Sequence, residues 1–146
     1  MTARADGNVR FAPEESRERA LAERVARLAT SSADGPPHLV PVTFATCGTQ
    51  IVIGIDEKPK TTQNLKRLRN IRSDPRVAML WDRYDEDWSR LWWVRADAVA
   101  SITAHGRPWE RAWEALELKY PQYRRGARVG PIIALEVMRW SGWAHG

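Results

Sequence analysis

The residues best suited to chemistry lie in the segment Lys58-Pro59-Lys60-Thr61-Thr62-Gln63-Asn64, which follows an apolar run and leads into a helical pattern. Two ammonium groups, hydroxyls and the free backbone N–H groups at the start of that helix would converge on one place, which is how proteins hold phosphate. A solvated basic turn is the alternative interpretation, because the segment contains no glycine-rich phosphate loop. The segment therefore predicts an anion site without identifying the ligand.

Tryptophan side chains are the second group of residues that could bind a ligand. Trp81, Trp88 and the pair Trp92-Trp93 fall in or beside predicted strands. Tryptophans in a small domain mostly bury area in the core or in an interface, and a minority stack on a bound ring. The pattern therefore leaves both roles open for these residues.

Catalytic side chains and metal ligands are scarce. The single Cys47 excludes an internal disulfide and a multi-cysteine metal site, and His38, His105 and His145 are too few and too scattered for a zinc site. No nucleophile motif of a hydrolase is present, so we assign no catalytic residue and expect no metal. If the protein is an enzyme, a cofactor should supply the reaction.

The charge distribution narrows the choice of partner. The chain has 146 residues and a net charge of +5, which would attract nucleic acid, anionic lipid or a phosphorylated small molecule. Between residues 58 and 76 the only acid is Asp74, against seven basic residues: Lys58, Lys60, Lys66, Arg67, Arg69, Arg72 and Arg76. Because the cations cluster at one strand-to-helix junction, a small molecule is favoured over nucleic acid. No apolar run is long enough to span a membrane and residues 1–7 show no apolar signal core, so we expect a cytoplasmic protein.

Hydrophobic periodicity predicts the elements that must position these groups. We expect a helix from Pro13, a β-hairpin turn at 33–37, a helix that ends at Asp74-Pro75 and a helix that begins near Arg107. The six predicted strands are about 24–30, 38–44, 51–55, 76–81, 91–102 and 131–140. Pro41 cannot donate a ladder hydrogen bond, which favours an edge, a bulge or a ligand alongside the second strand. The elements predict a mainly β barrel with flanking helices: residues 1–10 as a flexible N-terminus and 11–146 as a single domain.

Several short motifs occur in a familiar order. They are Arg27-Leu28-Ala29-Thr30, the run 34–42, Lys58-Pro59-Lys60-Thr61, Leu68-Arg69-Asn70-Ile71 with Asp74-Pro75-Arg76-Val77, and the run 82–88 with Leu91-Trp92-Trp93-Val94-Arg95. In this order the chain resembles the pyridoxamine 5′-phosphate oxidase-like superfamily over about residues 11–140, and most of all its actinobacterial proteins described as F420-dependent enzymes. The resemblance implies a six-stranded antiparallel split β-barrel of the FMN-binding type. It also implies a homodimer with a flavin mononucleotide or deazaflavin in each of two clefts between subunits.

The resemblance also implies where the coenzyme would bind. Basic residues after the third strand would hold its phosphate. Backbone groups of the preceding strands would face its ring, and the partner subunit would contribute from the fifth strand. Carried onto this chain, the coenzyme-binding residues are Val40, Pro41, Val42, Thr43, Ile55, Lys58, Pro59, Lys60, Thr61, Trp92 and Trp93. Pro59 stands where pyridoxamine phosphate oxidases proper usually carry Arg, and residues up to Gly146 hold no signature for the pyridoxal substrate. Oxidation of vitamin B6 is therefore not expected.

The implied function is oxidoreduction of an unsaturated small molecule by hydride transfer with the deazaflavin coenzyme F420. The polyglutamyl tail of F420 adds carboxylates, which the following cations would attract at long range: Lys66, Arg67, Arg69, Arg72, Arg124, Arg125 and Arg128. The alternatives are an FMN-dependent oxidoreductase of the same fold and a non-enzymatic carrier of flavin, deazaflavin or haem. A nucleic-acid-binding module that stacks bases on its aromatics is the third, less favoured alternative.

Overall fold

The computed structural model describes residues 2–3, 8–55, 62–126 and 128–146. The strands in these residues are β1 (Thr2–Ala3), β2 (Val9–Arg10), β3 (Ala26–Thr30), β4 (His38–Val42), β5 (Ala45–Cys47), β6 (Gln50–Gly54), β7 (Arg76–Arg83), β8 (Trp92–Thr103) and β9 (Ile132–Ala144). The helices are α1 (Pro13–Leu21), α2 (Thr62–Ser73) and α3 (Arg107–Lys119), with 3₁₀ turns at Trp88–Arg90 and Pro121–Arg125. Residues 1 and 4–7 of the expected flexible N-terminus, and Lys58, Pro59, Lys60 and Thr61, lie outside the described residues.

One antiparallel sheet organises the molecule. Its main path runs β1-β2-β9-β8-β7-β3-β4, and β6 pairs with both β5 and β9. The first residues of β9 pair with β8 on one side and β6 on the other, whereas its last two pair with β2. The sheet therefore curls into a half-barrel with helices on its flanks, which is consistent with the expected split barrel.

Alternation along the strands builds the core. Leu28, Met79 and Val94 point inward from β3, β7 and β8 and are fully buried, together with Trp81. A second, smaller cluster lies under α3, which buries Trp113 and Leu116. Each fully buried side chain of this size contributes roughly 1.5–3 kcal/mol through the hydrophobic effect. The half-barrel is thus packed from both its interior and the α3 side.

The prediction of six strands was wrong. Besides the two-residue strands β1 and β2, the sheet has seven, because the predicted strand 38–44 ends at Val42 and Ala45–Cys47 forms a separate strand with β6. Tyr120 gives the physical reason: its hydroxyl accepts from the backbone N–H of Phe44 (3.3 Å) and donates to the Phe44 carbonyl (3.0 Å). These backbone groups are the ones that a neighbouring strand would have used.

Other predicted elements are confirmed. The hairpin around 33–37 joins β3 to β4, α1 begins at Pro13, and α2 ends before Asp74-Pro75. Leu68 and Ile71 of the predicted apolar stripe are buried. Within the described ranges, the helices are too short or too polar to cross a membrane.

Candidate functional site

The outward face of β7, β8 and β9 exposes large apolar side chains. Trp92 and Trp93 are adjacent in β8 and therefore point to opposite faces: Trp92 is buried in the core, and Trp93 is 37% exposed. Trp93 lies across from Trp143 of β9 and from Asp82 of β7. Leu80, 38% exposed, is on the same face of β7. The two predicted tryptophans thus separate into one core residue and one surface residue.

A cleft of about 590 Å³ lies over this face. Its lining residues are Leu80, Asp82, Arg83, Tyr84, Leu91, Trp92, Trp93, Arg95 and Trp143. The volume falls in the range of roughly 300–1,000 Å³ that small-molecule sites occupy, and the aromatic planes suit a flat ring.

The charged residues that line the cleft form ion pairs with residues outside it. Arg83 binds Glu23 (2.9 Å), and Arg27 contacts Asp82 (3.3 Å). These pairs are largely exposed, so each contributes less than about 1 kcal/mol. They leave the aromatic floor of the cleft as its main binding surface.

The strand that carries Val40, Pro41 and Val42 lies at an edge of the sheet. In the parts of the chain that the structure describes, β4 pairs with β3 alone, which is one of the three arrangements that Pro41 favoured. Val42 is buried and Val40 half-buried, both toward the core, whereas Pro41 is exposed on the other face. The free edge of β4 leaves backbone groups available to a ligand.

Positive charge from α2 reaches the start of this edge. Burial lowers the pKa of His38, and the nearby charges of Lys66 and Arg67 lower that pKa further. The imidazole of His38 is therefore held neutral near pH 7. Its Nδ1 is buried and has no hydrogen-bond partner among the described residues. The start of β4 combines an unsatisfied polar atom with a positive field.

Two tyrosines hold the other end of β4 in place. Thr43 Oγ1 and the Tyr123 hydroxyl are 2.6 Å apart. The Tyr120 hydroxyl, besides contacting Phe44, lies 2.8 Å from the carbonyl of Arg24, which gives it two acceptors for its one proton. The Lys119 ammonium lies 3.6 Å from the centre of the Phe44 ring, and burial lowers its pKa to about 8. Thr43 thus serves to anchor the strand end through its side chain.

Ile55 connects β6 to the segment that contains the predicted lysines. Its side chain is buried, and its N–H donates to the carbonyl of Pro131 (3.0 Å). The carbonyl of the preceding Gly130 accepts from the indole N–H groups of Trp109 (2.9 Å) and Trp113 (3.3 Å). Ile55, the last described residue before the lysine segment, is therefore hydrogen-bonded to the chain just before β9. Lys58, Pro59, Lys60 and Thr61 lie outside the described residues.

Two of the cations expected to attract a polyanionic tail are engaged elsewhere. Arg128 donates two hydrogen bonds to the Glu117 carboxylate, at 3.0 and 2.5 Å, and this interaction holds the pKa of Glu117 below its usual value. Arg124 donates to the Glu117 backbone carbonyl (3.1 Å). Of the cations expected to attract the tail, Lys66 and Arg67 of α2 lie near His38 at the start of β4.

Sequence reasoning missed several residues of the cleft. Strand alternation places Leu80 on the outward face, but Trp143 lies beyond residue 140, where the last strand was expected to end. Tyr84 falls in the run 82–88 of the family resemblance, but its position in a polar connection after β7 predicted no binding role. Among the described residues, no group of three His, Cys, Asp or Glu side chains could hold a metal ion.

Solved structures of the same fold are numerous. A conserved hypothetical protein from Mycobacterium tuberculosis superimposes with a TM-score of 0.75 at 24% identity, covering 99% of this chain and 91% of the other. A FAD-binding protein from Mesorhizobium loti gives 0.72 at 19% identity, covering 95% and 99%. HutZ, a heme storage protein from Vibrio cholerae, gives 0.66 at 16% identity, covering 88% and 92%. At these identities the similarities show the fold alone.

Sequence comparison gives a family. No curated protein matches the chain significantly. The profile of the family described as pyridoxamine 5′-phosphate oxidase matches residues 12–144, nearly the whole chain. With the half-barrel and the cleft beside it, this match establishes that the chain belongs to the pyridoxamine 5′-phosphate oxidase family.

Proposed function

We propose that two copies of this chain enclose coenzyme F420 and act as an oxidoreductase on an unsaturated small molecule. The observation that carries the proposal is the aromatic cleft over the outward face of β8, where Trp93 and Trp143 lie side by side. A soluble domain that leaves such a face uncovered is typically presenting a ligand site or an interface.

The edge of β4 fits the anionic and polar parts of the coenzyme. The unsatisfied Nδ1 of His38 and the positive charges of Lys66 and Arg67 lie at its start. The Lys58 and Lys60 side chains would add two further cations in the segment between β6 and α2. This combination suits a phosphate joined to a ring that hydrogen-bonds to strand backbone.

The spacing of these features favours a dimer. In the sheet, β7 and β3 lie between β8 and β4. At about 4.8 Å between neighbouring strands, the edge of β4 is roughly 14 Å from β8. One fused ring would not contact both Trp93 and the β4 edge of the same subunit. A homodimer resolves this, with β4 of one subunit and Trp93 of its partner on the two sides of each ring.

A bound deazaflavin would supply two-electron hydride transfer at its C5 position. The chain itself would bind, orient and shield: Trp93 and Trp143 would exclude water from one side of the ring, and the β4 backbone would fix its polar edge. No side chain is assigned a proton-transfer role. F420 is favoured over flavin mononucleotide because the net positive charge suits its carboxylate-bearing tail.

A carrier function is the second candidate. It is supported by the structural relatives described as a FAD-binding protein and as a heme storage protein, neither of which is described as an enzyme. Oxidation of the bound coenzyme distinguishes the two functions. An enzyme would oxidise reduced F420 when an enone is added, and absorbance would follow the reaction. A carrier would bind the coenzyme without turnover.

Titration of F420 and of flavin mononucleotide, followed by fluorescence, tests the binding proposal. The variant Lys58→Ala/Lys60→Ala should lose at least tenfold in affinity for F420 and keep its thermal midpoint. The charge-matched control Arg107→Ala/Arg111→Ala removes two exposed cations from α3 and should bind F420 normally. Unchanged affinity in the lysine variant would contradict the phosphate assignment. Tighter binding of flavin mononucleotide than of F420 would contradict the choice of coenzyme.

The mass in solution tests the dimer. Light scattering should give twice the chain mass of 16.7 kDa. Trp93→Glu would place a charge in the interface, so it should give a monomer that no longer binds the coenzyme. Leu118→Glu is the control, because Leu118 is 79% exposed on α3. A monomeric wild type that binds neither coenzyme would refute the proposal as a whole.

A further inference from the structure

A second cleft, of about 490 Å³, lies on another side of the barrel. It is bounded by the β5–β6 hairpin, the end of β8, the start of α3 and the start of β9. It shares no lining residue with the aromatic cleft beneath Trp93. Among the described residues, the two clefts are therefore separate.

Two arginines line this cleft without a counter-charge. Arg107 and Arg111 are four residues apart on α3, so their side chains project on the same side of the helix. Neither makes an ion pair or hydrogen bond with any described residue. No Asp or Glu is present among the described lining residues. The two guanidinium groups are left available to an anion from outside.

The acidic residues of α3 interact electrostatically with Arg128. Glu110, Glu114 and Glu117 form the neighbouring stripe of the helix. The hydrogen bond to the Glu117 side chain raises the pKa of Arg128, and the charges of all three carboxylates raise that pKa further. Glu117 contacts Arg128 directly, and none of the three forms an ion pair with Arg107 or Arg111.

The rest of the cleft is suited to a compact organic body. Its floor is formed by buried apolar residues, among them Val52 (2% exposed) and Ile132 (1%). Gln50, Ser101 and Thr103 add an amide and two hydroxyls around this floor. A small number of polar groups around an apolar floor is the usual composition of small-molecule sites.

We infer that this cleft binds a small organic anion, with its carboxylate or phosphate on Arg107 and Arg111 and its apolar body against Val52 and Ile132. Paired guanidinium groups bind carboxylate and phosphate through charge-assisted hydrogen bonds. The start of α3 has no side-chain cap, so its first N–H groups reinforce the positive field.

Cys47 gives a local readout of this site. It lines the cleft and is the only cysteine in the sequence, so alkylation by iodoacetamide reports on this place alone. The probes are phenyl phosphate and benzoate, which carry both parts of the expected ligand. Inorganic phosphate carries the charge alone. Calorimetry measures their affinities, and mass spectrometry measures the alkylation rate.

We expect phenyl phosphate or benzoate to bind saturably and to slow alkylation of Cys47 at least threefold. Whichever of the two binds more tightly identifies the head group. Arg107→Ala/Arg111→Ala should weaken that binding at least tenfold and abolish the protection of Cys47. Lys58→Ala/Lys60→Ala removes two positive charges outside this cleft, so it should leave the anion affinity and the protection of Cys47 unchanged.

Four outcomes would overturn the inference. The first is that neither organic anion protects Cys47, and the second is that the arginine variant binds as the wild type does. The third is that inorganic phosphate binds as tightly as phenyl phosphate, which would leave no role for the apolar floor. The fourth is loss of binding in the lysine variant alone, which would assign the anion to the coenzyme site. Since F420 binding is measured separately, failure here leaves the coenzyme proposal standing.

Discussion

Among the described glycines, Gly130 is the one at which an added methyl group should lower the stability of the fold most. A Cβ atom added there would lie 1.4 Å from the carbonyl oxygen of Ile55 and 2.6 Å from its carbonyl carbon. Non-bonded heavy atoms need about 3.5 Å, so the two backbone segments would have to separate by roughly 2 Å. The obstacle is backbone and not the end of a flexible side chain, so a rotamer change cannot relieve it.

The cost of Gly130→Ala follows from what that separation breaks. Overpacking of a tight site costs about 1–3 kcal/mol. The hydrogen bond from Ile55 N–H to the Pro131 carbonyl (3.0 Å) and the indole bonds to the Gly130 carbonyl would also weaken, at about 1 kcal/mol each. We expect a loss of about 4–6 kcal/mol in the free energy of unfolding. At roughly 2–4 °C per kcal/mol for a chain of this size, the thermal midpoint should fall by roughly 8 °C or more.

Urea unfolding followed by tryptophan fluorescence measures this loss. Gly126→Ala is the matched control, because a Cβ there has open space and φ is −115°, which alanine adopts freely. The control should stay within about 0.5 kcal/mol of the wild type or gain slightly through a less flexible unfolded chain. If Gly130→Ala also stayed within 0.5 kcal/mol, the packing of this loop against Ile55 would be refuted.

Three further changes test the buried polar groups. The Asn70 side chain donates a hydrogen bond to the Thr30 hydroxyl (3.1 Å) in the core. Thr30→Val should therefore lower the free energy of unfolding by about 1–3 kcal/mol in urea titrations, and Thr30→Val/Asn70→Leu should recover part of that loss. An equal loss in both variants would refute the coupling. Burial lowers the folded pKa of Lys119 to about 8 from 10.5, because the charged ammonium is partly removed from water. This burial reduces the stability of the folded protein by its full amount below pH 8, and the loss of stability disappears as the pH rises toward 10.5. Lys119→Met should therefore gain most over wild type at pH 7 and least at pH 10, and a pH-independent difference would contradict this. The hydrogen bond from Arg128 lowers the pKa of Glu117 in the folded protein. The ion pair therefore stabilises the fold fully above pH 4.5, and this stabilisation is lost as the pH falls through the folded pKa of Glu117. Glu117→Gln should be less stable than wild type at pH 7 and should converge with it in acid-unfolding curves once the pH falls below the lowered folded pKa of Glu117. Equal stability of the two proteins at pH 7 would contradict this.

Local sequence signals were sufficient for most elements of the fold. Pro13 begins α1, and Asp74-Pro75 ends α2, because capping and proline geometry act within a few residues. The separation of β4 from β5 could not be predicted in this way. It depends on Tyr120, 76 residues away from Phe44, and contacts of that range leave no local pattern.

The candidate site was less predictable than the fold for the same reason. The free edge of β4 could be inferred, since Pro41 removes a donor within the strand itself. Trp143 could not, because β9 continues past Trp140 only through pairing with the first residues of β8 and with β2. The clustering of Lys66 and Arg67 beside His38 likewise depends on how α2 packs against the sheet.

Trp92 and Trp93 illustrate why a site of this kind needs both sequence and structure. As a pair they indicate aromatic surface, but strand alternation assigns them to different tasks. Trp92 packs in the core, where its ring also faces the guanidinium of Arg19 at 5.8 Å. Trp93 points outward beside Trp143. An apolar surface that stays exposed on this face does not stabilise a folded monomer. The proposed function requires that a bound ring and a second subunit cover this exposed surface.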